Sequence, residues 1–486
     1  MKKSNILLTH SYFYRLDPKQ WKNKTPFPPL GTIYAAAILR NKGFHVHLYD
    51  TNLRSNTKDF KGVLINHESN YVVIYDDGFN YLTKMCLTNM RAAAFTMIDV
   101  AKSLDCTVII NSSDATDHYD KYLDAGADYI IYGEGEMTCP ELIDFLEQGT
   151  NDLPLNVPGT IFRIKGVTQK NMARRVLKNL DSLSQPAWDL IDIDSYRKVW
   201  KESGKTFTLN IATTRGCPFK CNWCAKPIYG NRYNSHSPQY IIDQIKYHKT
   251  HHDVSKFWMC DDIFGLKPNW VQEFNRLLKE NNLEIDYYIQ SRADLLLEAD
   301  NIQALHDSGA SEIWIGAESG SQKILDAMDK GITVKQIYES TQLLRSNGIR
   351  VGFFLQFGYT GELWSDIQQT IKMILDLVPD NIGISVSYPL PGTKFYESVK
   401  DNLKIKSNWT DSDDLDMMFQ NTFSPKFYKT LHRYVHNRYR IKKGMNILTF
   451  GDIKKHKFKL VDFARMLHHL PLACLNRILL YNYARS

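Results

Sequence analysis

Short apolar runs alternate with helical patterns through the first 150 residues of the chain. The runs are rich in Val, Ile, Leu and Tyr, as buried strands are, and they cover residues 5–10, 45–50, 71–75, 107–111 and 128–132. Between the first two lies LGTIYAAAILRNKG, an Ala-rich helical stretch that ends at Gly43. The alternation predicts a parallel, doubly wound sheet, which binds ligands beyond the carboxyl ends of its strands.

A second series of six apolar runs follows residue 200 and covers residues 207–212, 256–259, 285–289, 312–315, 351–356 and 382–387. Amphipathic helical stretches such as PQYIIDQIKYH separate these runs. Six strand–helix units predict a partial (β/α)6 barrel with its site at the carboxyl ends of the strands. Beyond about residue 400 the pattern is helical and shows no strand series.

The predicted α/β fold therefore has four parts. Residues 1–150 form a Rossmann-like domain, 151–200 a connector broken by Pro186, 201–400 the partial barrel, and 401–486 a basic helical region. A chain of 486 residues exceeds the size that one hydrophobic core supports.

Composition places the chain among ordinary globular proteins, with 43% apolar and 23% charged residues. Its first apolar run is too short for a signal peptide, and no uncharged run reaches the roughly 18 residues of a membrane span. We therefore predict a cytoplasmic protein without a transmembrane segment.

The net charge of +7 is concentrated in the C-terminal region, where fourteen Lys or Arg from Lys426 onward face only Asp452 and Asp462. A solvated helical surface is the favoured interpretation. The alternatives are a dock for an anionic partner, a phosphorylated substrate or an acidic membrane surface. Interleaved aromatic residues also suggest nucleic-acid binding, but we expect them to pack in a helical core: Phe427, Tyr428, Tyr434 and Tyr439.

Three of the eight cysteines, Cys217, Cys221 and Cys224, lie in TTRGCPFKCNWCAKP, directly after the first strand of the second series. A structural zinc site needs four ligands, and His236 lacks the paired spacing of a fourth. Three thiolates suit a four-iron cluster with one iron open to another ligand. The other five cysteines are scattered and are expected to be buried thiols: Cys86, Cys106, Cys139, Cys260 and Cys474.

The C-x3-C-x2-C spacing, with Trp223 before the last cysteine, resembles that of the radical S-adenosylmethionine (radical SAM) enzymes. The resemblance implies that these cysteines hold a [4Fe-4S] cluster whose open iron binds S-adenosylmethionine (SAM). An electron from an external donor of the flavodoxin or ferredoxin type then splits SAM into methionine and a 5′-deoxyadenosyl radical.

Later segments resemble the strand ends of the same family in order and spacing, and the resemblance places six residues near SAM: Asp261, Asp262, Arg292, Glu318, Ser319 and Gln356. A structural role remains open for each of them. An aspartate at a strand end also caps helices, and Arg292 is also suited to pair with a barrel acid.

The order of N-terminal sheet, LSQPAWDLI connector and barrel resembles the cobalamin-binding branch, which includes class B methyltransferases and the anaerobic magnesium-protoporphyrin ester cyclase. The implied cobalamin contacts are Leu30, Gly31, Ser112, Ser113, Asp114, Gly133, Glu134 and Gly135. Two departures stand out. The Asp-x-His-x-x-Gly motif is absent, and residues 111–116 replace a glycine-rich loop, which adds Cβ atoms beside the expected nucleotide tail.

The resemblance implies cobalamin-dependent methyl transfer to an unactivated carbon or to phosphorus. Alternatives are a radical cyclisation or oxidation without methyl transfer, a cobalamin-free radical SAM enzyme, and a binding protein without turnover. No motif names the substrate. The positive charge of the tail suggests an anionic substrate, lipid-like or phosphorylated.

Overall fold

The computed structural model describes residues 3–79, 87–149, 152–226, 228–298, 300–403, 415, 417–449 and 460–484. These residues form two compact units. The first unit contains the described residues up to 218 and residues 225–289, and the second contains 219–224, 290–403 and the described residues from 415 onward.

The first unit contains a seven-stranded sheet in the order β2-β1-β3-β4-β5-β6-β7. Five strands are parallel and match the predicted runs: β1 (Asn5–Thr9), β2 (His45–Tyr49), β3 (Tyr71–Tyr75), β4 (Thr107–Asn111) and β5 (Tyr129–Ile131). Two antiparallel strands extend the edge, β6 (Thr160–Ile164) and β7 (Val167–Lys170). The sequence pattern did not predict this hairpin, which lies in the expected connector.

The helices of this part of the chain are α1 (Pro18–Asn23), α2 (Leu30–Asn41), α3 (Phe60–Asn66), α4 (Thr88–Lys102), α5 (Ser113–Asp117), α6 (Tyr119–Asp124) and α7 (Thr138–Leu146). Alternate strand residues feed two separate cores. Leu7 and Val72 pack with Met97 of α4, whereas Leu8 and Val73 pack with Leu39 of α2. The predicted two-sided arrangement is confirmed.

The first unit continues with α8 (Ile193–Glu202), β8 (Leu209–Ile211), β9 (Thr214–Arg215), β10 (Asn234–Ser235), α9 (Pro238–His252), β11 (Lys256–Met259), α10 (Trp270–Glu280) and the start of β12 (Asp286–Ser291). Phe257 of β11 pairs in parallel with Leu209 of β8 and Tyr287 of β12. Strands β9 and β10 form a small antiparallel pair beside them.

The second unit contains α11 (Ala293–Leu296), α12 (Asn301–Asp307), β13 (Ala310–Glu318), α13 (Gln322–Ala327), α14 (Val334–Ser346), β14 (Arg350–Phe357), α15 (Trp364–Leu377), β15 (Asn381–Val386), α16 (Lys394–Val399), α17 (Pro425–Thr449) and α18 (Leu460–Tyr483). Phe353 of β14 pairs in parallel with Ile315 of β13 and Ile382 of β15. All six predicted runs of the second series are therefore strands.

Helices α17 and α18 pack against each other in the C-terminal region. Phe427, Tyr428, Tyr434 and Tyr439 of α17 are buried, which confirms the core packing expected of them. Within the described ranges, no helix is long and apolar enough to span a membrane.

The predicted burial of the isolated cysteines is confirmed for three of the five. Cys106, Cys139 and Cys260 are buried, and Cys86 lies outside the described residues. The prediction was wrong for Cys474, which is exposed because it lies on the side of α18 that faces away from the protein.

Candidate active site

The loop that carries the cysteines is fixed where it begins. Asp261, buried directly after β11, accepts hydrogen bonds from the backbone N–H groups of Thr213 (2.7 Å) and Thr214 (2.8 Å) and from the Thr213 hydroxyl. Burial raises the pKa of Asp261 to about 7, and these hydrogen bonds oppose that rise. Asp261 thus holds the backbone ahead of the cysteines, while the neighbouring Asp262 is exposed.

A glycine is required between β9 and the first cysteine. Gly216 has φ of +74°, and a Cβ atom there would collide with the carbonyl oxygen of Arg232. Both constraints exclude other residues, so the sharp turn into Cys217 depends on Gly216.

The three cysteines of the motif are partly exposed and form no disulfide. Thiolates are the usual ligands of iron–sulfur clusters, so this donor set fits a cluster with one open iron. Among the described residues, no three His, Cys, Asp or Glu side chains converge closely enough to hold a metal ion. The assignment of Cys217, Cys221 and Cys224 as ligands therefore remains a prediction.

In the second unit, Asn222 anchors the middle of the cysteine loop. Its backbone N–H donates to Met328 (3.0 Å), and its side chain donates to the carbonyl of Ala327 (2.7 Å). The Tyr359 hydroxyl donates to the Asn222 amide oxygen (3.0 Å). Tyr359 therefore has a structural role beside the cysteine loop.

Glu318 ends β13 in a strained backbone conformation. Its φ is +55°, in a region that non-glycine residues seldom adopt, and the strand register shifts beside it. The buried carboxylate pairs with Lys330 Nζ at 2.8 Å. Backbone strain at such a residue is typical of functional sites, which supports the predicted role of Glu318.

Lys330 was missed by the sequence analysis, although it is buried and its ammonium lies 5.9 Å from the centre of the Trp223 ring. Burial alone would lower the pKa of Lys330, but Glu318 and then Cys221 outweigh burial and raise it. Its proximity to both the cysteine loop and Glu318 makes it a candidate site residue.

Ser319 and Gln356 are buried and hydrogen-bonded within the second unit. The Ser319 hydroxyl shares a 3.0 Å hydrogen bond with Thr370, and the Gln356 side-chain oxygen accepts from the Ser387 hydroxyl (3.0 Å). These contacts hold both side chains at the ends of β13 and β14.

Arg292 pairs with an acid, as the structural alternative for it expected, and its place near SAM stays a prediction. Its guanidinium pairs with both carboxylate oxygens of Asp294 (3.0 and 2.9 Å) and donates to the Lys330 carbonyl (2.8 Å). It also lies 3.7 Å from the centre of the Phe219 ring, in the cysteine loop. Arg292 therefore supports the loop and the Lys330 backbone.

The carboxyl ends of the N-terminal strands meet at one edge of their sheet. His10 Nε2 lies 2.9 Å from the Asp50 carboxylate, which joins the ends of β1 and β2. Asp76 after β3 accepts from the Ser11 backbone N–H (2.7 Å), and the Asn111 side chain donates to the Gly133 carbonyl (3.1 Å). The predicted ligand-binding edge is thus tied together by its own polar residues.

The predicted cobalamin contacts all lie along this edge. Leu30 is buried, and the Gly31 N–H donates to Asp77 (3.0 Å). Ser112 caps α5 and precedes the buried Ser113. Gly133 and Gly135 flank Glu134, and a Cβ atom on Gly135 would lie 2.6 Å from the Tyr75 ring.

Asp114 shows how the residue 111–116 loop differs from a glycine-rich one. Its carboxylate forms a two-point ion pair with Arg91 (2.6 and 2.5 Å) and accepts from the Tyr122 hydroxyl (2.8 Å). These bonds replace backbone flexibility with a fixed side-chain network.

A second buried ion cluster links two predicted cofactor segments in the first unit. Arg215, two residues before Cys217, lies 2.8 Å from Glu136 and 3.5 Å from Glu134. Burial and then the charge of Glu136 raise the pKa of Glu134. The rings of Tyr34 and Tyr229 lie within 5.7 Å of the guanidinium and keep it out of water.

This cluster lines a cavity of about 350 Å³, together with residues such as Met137 and Arg175. Among the described residues, neither the Arg215 guanidinium nor the Glu136 carboxylate has an aligned hydrogen-bond partner. Cobalamin carries amide groups that both donate and accept hydrogen bonds. The buried donors and acceptors beside the predicted loop therefore fit that cofactor.

Glu362, after β14, is a buried acid with an unusual titration. One carboxyl oxygen accepts from the Gly358 N–H (2.6 Å), and in the described structure the other has no hydrogen-bond partner. Burial, opposed by the Gly358 N–H and Lys323 and assisted by Asp366, raises the pKa of Glu362 to about 8. The buried Tyr428 lies near the same carboxyl group.

Because Glu362 keeps its proton in the fold up to about pH 8 and releases it near 4.5 when unfolded, stability falls as pH rises between these values. Glu362→Gln is expected to remove this dependence and to gain on the order of 2 kcal/mol over the natural protein at pH 8. Urea unfolding at pH 5.5 and pH 8 measures the effect, with exposed Glu397→Gln as control. Parallel pH profiles of Glu362→Gln and the natural protein would contradict it.

Part of the chain matches a known protein family, and most of its length matches named relatives. Residues 211–374 match the radical SAM superfamily. An uncharacterized methyltransferase of Pyrococcus horikoshii is 25% identical over 399 residues, which cover 79% of this chain and 81% of the relative. An anaerobic magnesium-protoporphyrin IX monomethyl ester cyclase of Rubrivivax gelatinosus is 26% identical over 282 residues, covering 57% of this chain and 50% of the relative.

Two solved structures share the fold. The radical SAM methyltransferase TsrM of Kitasatospora setae, with cobalamin and a [4Fe-4S] cluster bound, has a TM-score of 0.67 at 16% identity and covers 82% of this chain and 78% of its own. The cobalamin-dependent SAM radical enzyme OxsB, with aqua-cobalamin and SAM bound, has a TM-score of 0.72 at 18% identity. The match covers 100% of this chain and 75% of the OxsB chain.

The residues that match the radical SAM superfamily include the cysteine spacing from which the resemblance was drawn. Its relatives include proteins named as a methyltransferase and as the magnesium-protoporphyrin ester cyclase, and its fold is similar to the folds of TsrM and OxsB.

Proposed function

We propose that the protein is a cobalamin-dependent radical SAM methyltransferase that acts on an unactivated carbon or on phosphorus. The observation that carries the proposal is the three-cysteine loop, which follows β8 inside the matched radical SAM domain. The six strands of the second series are proposed to form the partial barrel that surrounds this chemistry.

Cys217, Cys221 and Cys224 are proposed to hold a [4Fe-4S] cluster, which supplies the electron that splits SAM. Asp261 fixes the backbone that leads into the loop, and Asn222 and Arg292 hold its middle. The strained, ion-paired Glu318 contacts the bound SAM, and Ser319, Gln356 and exposed Asp262 complete the SAM site. This division of roles keeps the reacting groups in a fixed geometry.

Cobalamin is proposed to lie at the carboxyl edge of the N-terminal sheet, where it supplies the methyl group. The predicted contacts on α2 and the β4 and β5 loops form that edge, and Arg215 and Glu136 offer it buried donors and acceptors. An electron donor of the flavodoxin or ferredoxin type and an anionic, small or lipid-like substrate complete the proposal. A cytoplasmic location accords with it.

The test is product analysis under anaerobic conditions. Protein reconstituted with iron, sulfide and hydroxocobalamin is reduced and given SAM labelled in its methyl group. Formation of both 5′-deoxyadenosine and S-adenosylhomocysteine supports methyl transfer, because SAM becomes the second product only when it donates its methyl group. 5′-Deoxyadenosine alone favours cyclisation or cobalamin-free chemistry. The absence of both products would contradict the proposal.

The SAM site itself is tested by Glu318→Gln, which leaves Lys330 buried without its counter-charge. We expect SAM to bind at least about tenfold more weakly while the iron content stays unchanged. Equilibrium dialysis measures the affinity. Glu312→Gln is the matched control, since Glu312 lies on the same strand and pairs with the exposed Arg350 at 2.9 Å. Equal affinities for the two variants would remove Glu318 from the site.

A further inference from the structure

Helix α18 exposes several large apolar side chains although it buries two polar ones, His469 and Asn476. Its outward side chains include Leu467, Leu470, Leu475, Ile478 and Tyr481, which are 43–62% exposed. They are three or five residues apart, which keeps them on one side of the helix, and they form one stripe about 20 Å long. Soluble surfaces rarely keep a continuous apolar patch of several hundred Å² without a partner.

The inward side of α18 shows that this orientation is specified. His469 and Asn476 are buried there with Met466, Ala473 and Leu480. His469 Nδ1 lies 2.9 Å from the Asn437 side-chain oxygen of α17, and its Nε2 lies 3.2 Å from Arg440. A helix rotated to bury the leucines would break these contacts, so the apolar stripe is held outward.

The positive charge of the C-terminal region indicates which kind of partner covers the apolar stripe. From Lys426 to the end, the chain carries fourteen Lys or Arg and two Asp. A second copy would bring a second, equally basic C-terminal region, and like charges oppose that association. An apolar stripe on a basic region instead matches a helix lying in the surface of a membrane that contains anionic lipids, where its leucines enter the acyl boundary.

We propose that the outward face of α18, together with the basic C-terminal region, docks the protein on an anionic lipid surface. The stripe supplies apolar burial, and Arg477, exposed between Leu475 and Ile478, extends to the lipid headgroups. This docking is independent of the chemistry proposed at the cysteine loop.

The test is co-sedimentation of the full chain with phosphatidylcholine vesicles, with and without phosphatidylglycerol. We expect binding to rise at least about tenfold with phosphatidylglycerol and to weaken with salt. Leu475→Glu combined with Ile478→Glu is expected to lower binding at least about tenfold. The matched control, Leu343→Glu with Ile65→Glu, changes equally exposed residues elsewhere and is expected to bind normally.

Three outcomes would overturn the proposal. The natural chain fails to bind phosphatidylglycerol vesicles, or the control variant loses binding as strongly as the α18 variant. Alternatively, the lipid-free chain is a dimer that the α18 variant separates, which assigns the stripe to a second copy. Iron content and SAM cleavage, measured without lipid, test the proposed function and are expected to be unchanged in both variants. Lipid binding tests only the docking proposal, so each proposal can fail without the other.

Discussion

Replacing Cys221 with alanine is expected to abolish both cluster loading and SAM cleavage. The proposed site has three thiolate ligands, and the remaining two cannot retain a cluster that already leaves one iron open. We expect iron to fall from about four atoms per chain to a trace, and 5′-deoxyadenosine formation to fall at least about a thousandfold. Iron analysis and product chromatography on anaerobically reconstituted protein measure both effects.

Cys474→Ala is the control for this experiment because Cys474 is an exposed, isolated thiol on α18. It is expected to keep full iron and full SAM cleavage. Cys217→Ala and Cys224→Ala are expected to behave like Cys221→Ala. Retention of a redox-active cluster in any of the three motif variants would contradict the ligand assignment.

Replacing Arg215 with methionine is expected to be the most destabilising change at the N-terminal sheet edge. The substitution leaves Glu134 and Glu136 buried side by side without a counter-charge. Breaking a buried ion pair from one side costs about 3–5 kcal/mol, and the free energy of unfolding is expected to fall by that amount. The amount of cobalamin retained after desalting is also expected to fall, because Arg215 and Glu136 are proposed to contact the cofactor.

Arg276→Met is the matched control for Arg215→Met, since Arg276 also pairs with two glutamates, Glu273 (2.6 Å) and Glu280. Arg276 is 52% exposed, so water replaces its contacts and the urea midpoint is expected to stay unchanged. Adding Glu136→Gln to Arg215→Met is expected to restore part of the lost stability. Equal midpoints for Arg215→Met and Arg276→Met would contradict the buried-cluster account.

The fold was largely predictable because its signals are local. The five parallel strands of the N-terminal sheet and the six runs of the second series each show as a short apolar segment, and all eleven are strands. The β6–β7 hairpin was missed because its strands are partly exposed and alternate weakly, and β7 has the burial pattern of an edge strand. The domain boundaries between residues 150 and 200 remain a prediction.

The sequence identified only those candidate site residues that lie in segments with a recognisable motif spacing. Cys217, Cys221, Cys224 and Glu318 lie in recognisable segments, whereas Lys330 lies twelve residues after Glu318 and joins it only through the fold. The role of Arg215 also depends on residues 79 and 81 positions earlier, which no local pattern connects. The family resemblance placed Asp261 near SAM, which stays a prediction, and it did not reveal that the Asp261 oxygens accept hydrogen bonds from the loop backbone.

The most direct measurement is the iron and cobalt content of anaerobically reconstituted, desalted protein, recorded with its ultraviolet–visible spectrum. The account predicts about four irons and one cobalt per chain, with absorption from both an iron–sulfur cluster and cobalamin. Iron without cobalt would contradict the cobalamin assignment and leave a cobalamin-free radical SAM enzyme. A folded chain that retains neither metal would contradict the central claim.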